Sequence, residues 1–346
     1  MKSLALGIVL MLFVPLAVFD MDAFTDISLK GDVSVEASAQ PAWPGDAVIR
    51  FPDPKFEAAV RKLIEKPTGD IVAGDVAKLT EMELSGLGIA DLAGLEYFTA
   101  LKKLWCENNE LAALDVSRNP LLKELDCGAN QLTALDVSRN PALITLWCYG
   151  NELATLDVSH NPALKNLLCH SNELTTLDVT QNPALERLDC TENRLTALDV
   201  SQNTLLVQLD CGMNQLGTLD VTQNPALEWF DCCTNQLTTL DVTRNIALIG
   251  FACDANLFTT LDVTQNPKLT WLYCAENQLT ALDVSRNPAL EQILCENNQL
   301  TVLDITQNPA LKYLGCQQNR FPDPSAVIGA DKIALKQFTF DPQFDR

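Results

Sequence analysis

Eleven of the twelve cysteines in this chain stand 21 residues apart: Cys106, Cys127, Cys148, Cys169, Cys190, Cys211, Cys232, Cys253, Cys274, Cys295 and Cys316. A fixed interval of that length marks a repeat array, in which each unit buries its apolar side only by stacking on its neighbours. Disulfide frameworks have short, uneven spacings instead. Neighbouring thiols on in-register strands point the same way, whereas a disulfide needs Cβ atoms aimed at one another. Zinc needs convergent ligands, not a line of them. The column is therefore expected to be a stack of small buried apolar side chains. Only Cys233 lies off it.

The rest of the unit fits the same frame. The first full turn reads LKKLWCENNELAALDVSRNPL from Leu101 to Leu121, and it restarts at Leu122, Leu143, Leu164, Leu185, Leu206, Leu227, Leu248, Leu269, Leu290 and Leu311. Each turn holds two near-copies, L-x-x-L-x-C-x-x-N and L-x-x-L-D-V-x-x-N. Strand alternation turns Leu104 and Cys106 inward and Trp105 outward, and does the same for Leu114 and Val116 against Asp115. Neither half leaves room for a full helix. The pattern predicts a right-handed leucine-rich-repeat solenoid (α/β repeat class, mostly short parallel strands and turns). About eleven 21-residue turns follow one 22-residue turn built on Leu79, Met82, Leu84, Leu87, Ile89, Leu92 and Leu95.

An open-ended array needs caps. Residues 40–78 are expected to form a helical N-terminal cap, with Asp53 as N-cap, Pro54 at the first helical position and Phe56, Val60, Leu63 and Ile64 on one apolar face. A second short helix is expected around Asp75–Leu79. The repeats run over 79–320. The tail, 321–346, should close the far end with Phe321, Val327, Ile328, Ile333, Leu335, Phe338 and Phe340. The string FPDP occurs at both Phe51–Pro54 and Phe321–Pro324. Residues 1–39 read as a signal peptide or N-terminal anchor: Lys2, the apolar run Leu4–Phe19, and the small residues Ala37, Ser38 and Ala39 before Gln40. No further membrane insertion is expected, because no second apolar run is long enough.

The L-x-x-L-x-C-x-x-N-x-L-x-x-L-D-V-S unit resembles the 21-residue cysteine-ladder repeats of internalin J-type bacterial surface proteins. The segment from Phe51 to Leu104 is similar to the N-terminal cap of bacterial leucine-rich-repeat surface proteins. Together they cover roughly residues 50–320. The resemblance implies a leucine-rich-repeat fold, extracellular display and a role in adhesion or partner binding, and it implies no catalytic residues. Wall-linked members carry an LPxTG-type signal after the repeats. This chain reads FDPQFDR there, so a covalent wall link is not expected.

Two columns of polar residues accompany the cysteines. Asp115, Asp136, Asp157, Asp178, Asp199, Asp220, Asp241, Asp262, Asp283 and Asp304 form a line of carboxylates with neighbours about 5 Å apart. Each neighbouring pair costs up to ~1 kcal/mol even at water's dielectric. Hydrogen bonds from the Ser or Thr two residues on, or from turn amides, would offset this. A bound divalent cation is the alternative. Two asparagine columns, Asn109 to Asn319 and Asn119 to Asn308, are expected to satisfy backbone groups of their own and the next turn.

Function is read from what varies. Around the Asp segment the outward positions hardly change, but beside the cysteines they change freely. Four of the five tryptophans and three of the four tyrosines fall there. The candidate ligand-binding residues are Trp105, Trp147, Tyr149, Leu168, His170, Trp229, Asp231, Trp271, Tyr273 and Tyr313. Aromatics on a rigid sheet are typical anchors of interaction surfaces. Asp126, Asp189, Asp210, Asp231 and Asp254 share the face and favour a basic or carbohydrate partner. A net charge of −21 argues against nucleic acid. His160 and His170, the only histidines, lie on opposite segments of one turn, and no nucleophile–base set converges. The expectation is an exported or cell-surface recognition or adhesion module, not an enzyme. It would bind an extracellular protein or glycan without cofactor or metal. A cation-dependent scaffold using the Asp column is the second expectation.

Overall fold

A computed structural model of the chain describes residues 43–344, so the expected signal segment lies outside the described residues. Each 21-residue turn contributes one three-residue strand, from Lys103–Trp105 in turn one through Gln292–Leu294 in turn ten to Tyr313–Gly315 in turn eleven. The strand Glu81–Glu83 of the 22-residue turn precedes them and Gln337–Thr339 of the tail follows. Among the described residues this makes one thirteen-stranded parallel sheet in chain order. Register is strict: Leu104 opposes Leu125, which opposes Leu146. The opposite side is extended but barely bridged, with Asp115 paired to Asp136 and Asp262 to Asp283. The Asp-Val half of each turn is too short for a helix and its outward residue is charged, so it runs as an extended segment, drawn into a short strand at Leu303–Asp304, which pairs with Val327–Ile328.

The core is the stack itself. Leu104, Cys106, Leu111 and Val116 of turn one, and their equivalents in the turns that follow, are fully buried. The eleven ladder cysteines are free and buried. Burial pushes their thiols well above the ordinary range. They pack as small apolar groups, as the spacing predicts.

The asparagines do the stapling. Asn130 Nδ2 donates to Cys127 O at 3.1 Å in its own turn and to Cys106 O at 3.0 Å in the turn before, while its Oδ1 accepts from Leu111 N at 3.0 Å. Asn140 Nδ2 donates to Val116 O at 3.0 Å and Asn119 O at 2.9 Å. The staple therefore reaches back to the preceding turn rather than forward to the next, because the side chain points toward the chain that has already passed.

The Asp column resolves its own repulsion locally. Thr180 donates to Asp178 Oδ1 from its amide at 2.9 Å and from its hydroxyl at 2.7 Å, and Thr222 does the same for Asp220.

Both ends carry Asp-Pro caps, which accounts for the repeated FPDP. Asp53 Oδ1 accepts from Lys55 N at 2.7 Å and caps the helix α1, Pro54–Leu63. Its Oδ2 accepts from Ala90 N at 2.7 Å, tying that helix to the 22-residue turn. At the far end Asp323 Oδ1 accepts from Ser325 N at 2.9 Å and starts a 3-10 turn, Pro324–Ala326. Phe51 packs edge-on against Phe56, and Phe321 packs against Phe340.

Several sequence expectations are corrected. Leu63 is 39% exposed and off the helix's apolar side. The second helix, α2, is Ala73–Val76, two residues earlier than expected, and Asp75 accepts Val72 N within its first turn. Leu87 is 45% exposed, since the 22-residue turn bends through left-handed Gly86 and Gly88 around it. In the tail Phe321, Val327 and Phe340 are buried, but Ile328 and Phe338 are exposed. Among the described residues no further strand stacks on Gln337–Thr339 to cover Phe338.

Candidate functional site

The outward side of the thirteen-stranded sheet presents three positions per turn: the first and third residues of each strand, and the residue after the cysteine. All ten candidate residues lie on this one face. Trp105, Trp147, Leu168, Trp229, Asp231, Trp271 and Tyr273 sit on strands, Tyr313 begins the last repeat strand, and Tyr149 and His170 follow Cys148 and Cys169. Most are half-buried by their neighbours across the ladder, and Tyr313 is 36% exposed. The one tryptophan and one tyrosine off this face, Trp43 and Tyr97, pack together near the N-terminal cap with centroids 4.6 Å apart.

Apart from Tyr313 in turn eleven, the rings form two groups. In turns one to four, Trp105 Nε1 donates to Glu124 Oε1 at 2.7 Å with Lys103 Nζ 5.3 Å from its ring centroid, and Tyr149 stacks on His170 at 4.9 Å and 12°. In turns seven to nine, Trp229 stacks on Trp271 at 5.2 Å and 28°. The two tryptophans belong to strands separated by a third, Gly250–Ala252, and meet because position 250 has no side chain. A Cβ there would lie 2.5 Å from Trp229 Cε3. Gly128 gives Tyr149 the same room, its would-be Cβ 2.5 Å from the ring.

Sequence reasoning missed these glycines. The available signal was a glycine in a freely varying slot one turn away from an aromatic. Sequence reasoning also misplaced Asp126, which was counted among the carboxylates open to a partner. It opposes Trp105 on one side and Trp147 on the other and is only 5% exposed. Its Oδ1 accepts from Gly128 N at 3.0 Å. Burial first, then the charges of Glu107, Glu124 and Glu83, push its carboxyl up to about 7.

Asp189, Asp210 and Asp231 stand side by side in register on turns five to seven, half-buried, with Arg187 on the same face. Burial, followed by the charges of Asp189 and Asp231, holds Asp210 well above the usual carboxylate range. Burial also raises Asp231. Asp254 is pushed up to about 7, again mainly by burial. Cys233, the thiol off the ladder, is half-buried between these acids, its amide donating to Asp231 Oδ1 at 2.7 Å.

No family model matches the chain. The solved functional domain of InlJ from Listeria monocytogenes, described as including a cysteine ladder, superposes with a TM-score of 0.68 at 34% identity, over 85% of this chain and 74% of that one. The chain belongs to the internalin J family of leucine-rich-repeat proteins. A curated relative, Internalin J of Listeria monocytogenes serotype 4b (strain F2365), is 39% identical over 70 residues. That match covers 20% of this chain and 8% of the length of that protein. The internalin InlF of Listeria monocytogenes strain 4b F2365 shares the fold, with a TM-score of 0.68 at 20% identity, over 82% of this chain and 94% of that one.

The two carboxylate populations of this internalin J-type solenoid should give stability an acidic optimum. Asp126 and Asp254 bind protons more tightly folded than unfolded, so the folded chain carries extra protons from about pH 4 up to about pH 7. Stability therefore falls as pH rises through that window. Asp178, Asp220 and Asp241 are held low by the hydroxyl and amide of the Thr two residues on, and their contribution is lost below about pH 4. Melting temperature should peak near pH 4 to 5 and decline toward pH 8 (about the limits set by these groups). Asp126→Asn should flatten the decline. A melting temperature that climbs steadily from acid to pH 8 would contradict these assignments.

Proposed function

We propose that this chain is a protein-interaction module of the bacterial-surface type, exported and non-enzymatic, that captures an extracellular protein through the aromatic face of its sheet. One observation carries the proposal: apart from Trp43 and Tyr97, which pack on each other, the tryptophans and tyrosines all fall on that face, and all of these but Tyr313 gather in two clusters with one stacked pair of rings in each. The fold does not need them, because Gln208, Gly250 and Gln292 fill the first outward position of other turns. Such rings are the side chains that dominate interface energetics. Membership of the internalin J family and the apolar run Leu4–Phe19 support export, with residues 40–78 and 321–346 closing the array at its ends.

The scaffold alternative has less support. In turn after turn the Asp column already spends one carboxylate oxygen on the Ser or Thr two residues on. Among the described residues no group of three His, Cys, Asp or Glu side chains is arranged to hold a metal ion.

The immobilised chain should retain a protein saturably from a pool of extracellular glycoproteins. Trp147→Ala, Trp229→Ala and Trp271→Ala combined should weaken retention at least about thirtyfold, as loss of hot-spot anchors does. Asp220→Asn with Asp241→Asn, on the opposite face, should leave it unchanged. Equal loss from both faces would remove the proposal. Full retention of released glycans alone would replace a protein partner with a carbohydrate.

A further inference from the structure

Turn eight is the low point of the face. Its strand offers Gly250 and Ala252 outward. Trp229 and Trp271 flank position 250 in register, and Asp231 and Tyr273 flank position 252. The two indoles close over Gly250, so the open part of this notch has the Ala252 methyl as floor. The Trp pair stands at one end and Tyr273 and Asp231 at the sides. Asp254, two residues on, closes the other end. Its Oδ1 accepts from Ala275 N at 2.6 Å and its Oδ2 from the Cys233 thiol at 3.7 Å, so its carboxyl is held in place.

We propose that this notch receives an arginine side chain of the partner protein. The inference rests on the recognition role proposed above for the same face and names the chemistry of its central contact. Charge complementarity argues for a basic occupant. On turns five to ten the outward positions carry Asp189, Asp210, Asp231, Asp254 and Glu296 against the single base Arg187. These carboxylates are half-buried; a neutral sugar's hydroxyls could donate to them but bring no opposite charge, whereas a cation supplies both. A metal ion fits poorly, since among the described residues no three His, Cys, Asp or Glu side chains converge on a point. Arginine fits best among cations: a guanidinium stacks flat on aromatic faces and forks two hydrogen bonds to carboxylates, which a lysine ammonium does not.

The test uses the full chain and a hexa-arginine peptide at about 0.15 M salt, where long-range attraction to the acidic surface is largely screened. The peptide should change tryptophan fluorescence saturably. Asp231→Asn with Asp254→Asn should weaken binding about tenfold. Ala252→Leu, which fills the floor and keeps every charge, should do the same. Asp220→Asn with Asp241→Asn removes two charges from the opposite face and should change affinity less than about twofold. Hexa-lysine should bind about tenfold more weakly than hexa-arginine. Equal losses from the two double variants, equal affinity for the two peptides, or full binding by Ala252→Leu would each overturn the assignment, provided the variants melt as the parent does. The two proposals fail separately. A captured partner lost with Trp229→Ala and Trp271→Ala, but kept with Asp231→Asn and Asp254→Asn, leaves the recognition face standing and removes the arginine.

Discussion

Asn214→Ala should lose about 4 kcal/mol of stability in denaturant unfolding, although it removes only a small side chain. Asn214 is buried in turn six, with intact turns on both sides. Its Nδ2 donates to Cys190 O at 3.0 Å, Cys211 O at 3.1 Å and Gly212 O at 3.0 Å. Its Oδ1 accepts from Leu195 N at 3.0 Å. The alanine variant strands a buried amide and at least one buried carbonyl, each worth roughly 1–3 kcal/mol, and leaves a cavity besides. Asn214→Asp should fare no better, because a carboxylate cannot donate to the three carbonyls. The loss cannot be relieved by fraying, as it could at a terminal turn. A change below about 1 kcal/mol would mean that stacking of the leucines alone holds neighbouring turns together.

Phe251→Ala should cost a similar amount, about 4 kcal/mol, by the cavity it leaves. Phe251 is 2% exposed and stacks on Phe230 at 5.4 Å and 12°, at the strand position where most turns have leucine. It lies between Gly250 and Ala252, so it is the core side of the notch floor. Phe251→Leu restores the usual residue of the repeat and should cost less than about 1.5 kcal/mol. The pair separates two roles. If the phenylalanines only fill volume, Phe251→Leu leaves the fluorescence of the Trp229–Trp271 pair as it was. If they set the strand's height beneath the rings, the signal shifts with little loss of stability. A cost under about 1 kcal/mol for Phe251→Ala would show that the flanking turns collapse into the space.

The fold could be read from the chain because a strict period leaves few solutions. Once Cys106 and Cys127 face inward at the same place in successive turns, strand, register and core follow by stacking. The caps were read less well. Leu63, Leu87, Ile328 and Phe338 are apolar in the sequence but exposed, because helix geometry and the bends of the irregular end segments, not the 21-residue period, decide which side they face. The face was legible as a set of positions, since alternation alone places Trp229 and Trp271 outward. Its relief was not. That depends on what stands one turn away, so Asp126 disappears beneath two flanking tryptophans while Gly250 lets two rings touch across an intervening strand. Such effects run across the ladder, 21 residues apart in sequence, where a local pattern has nothing to say.

Because the backbone of each turn pairs only with the turn before and the turn after, the array behaves as a ruler. The stacked pair Tyr149–His170 belongs to turns three and four, and the pair Trp229–Trp271 to turns seven and nine. Duplicating or deleting one whole unit between them would change their separation by about 4.8 Å and leave both intact. Spacing between ring pairs can thus be adjusted in fixed increments, independently of the side chains that make up each pair. A lineage built on such a unit could follow a changing partner by altering how many times it counts before altering any side chain.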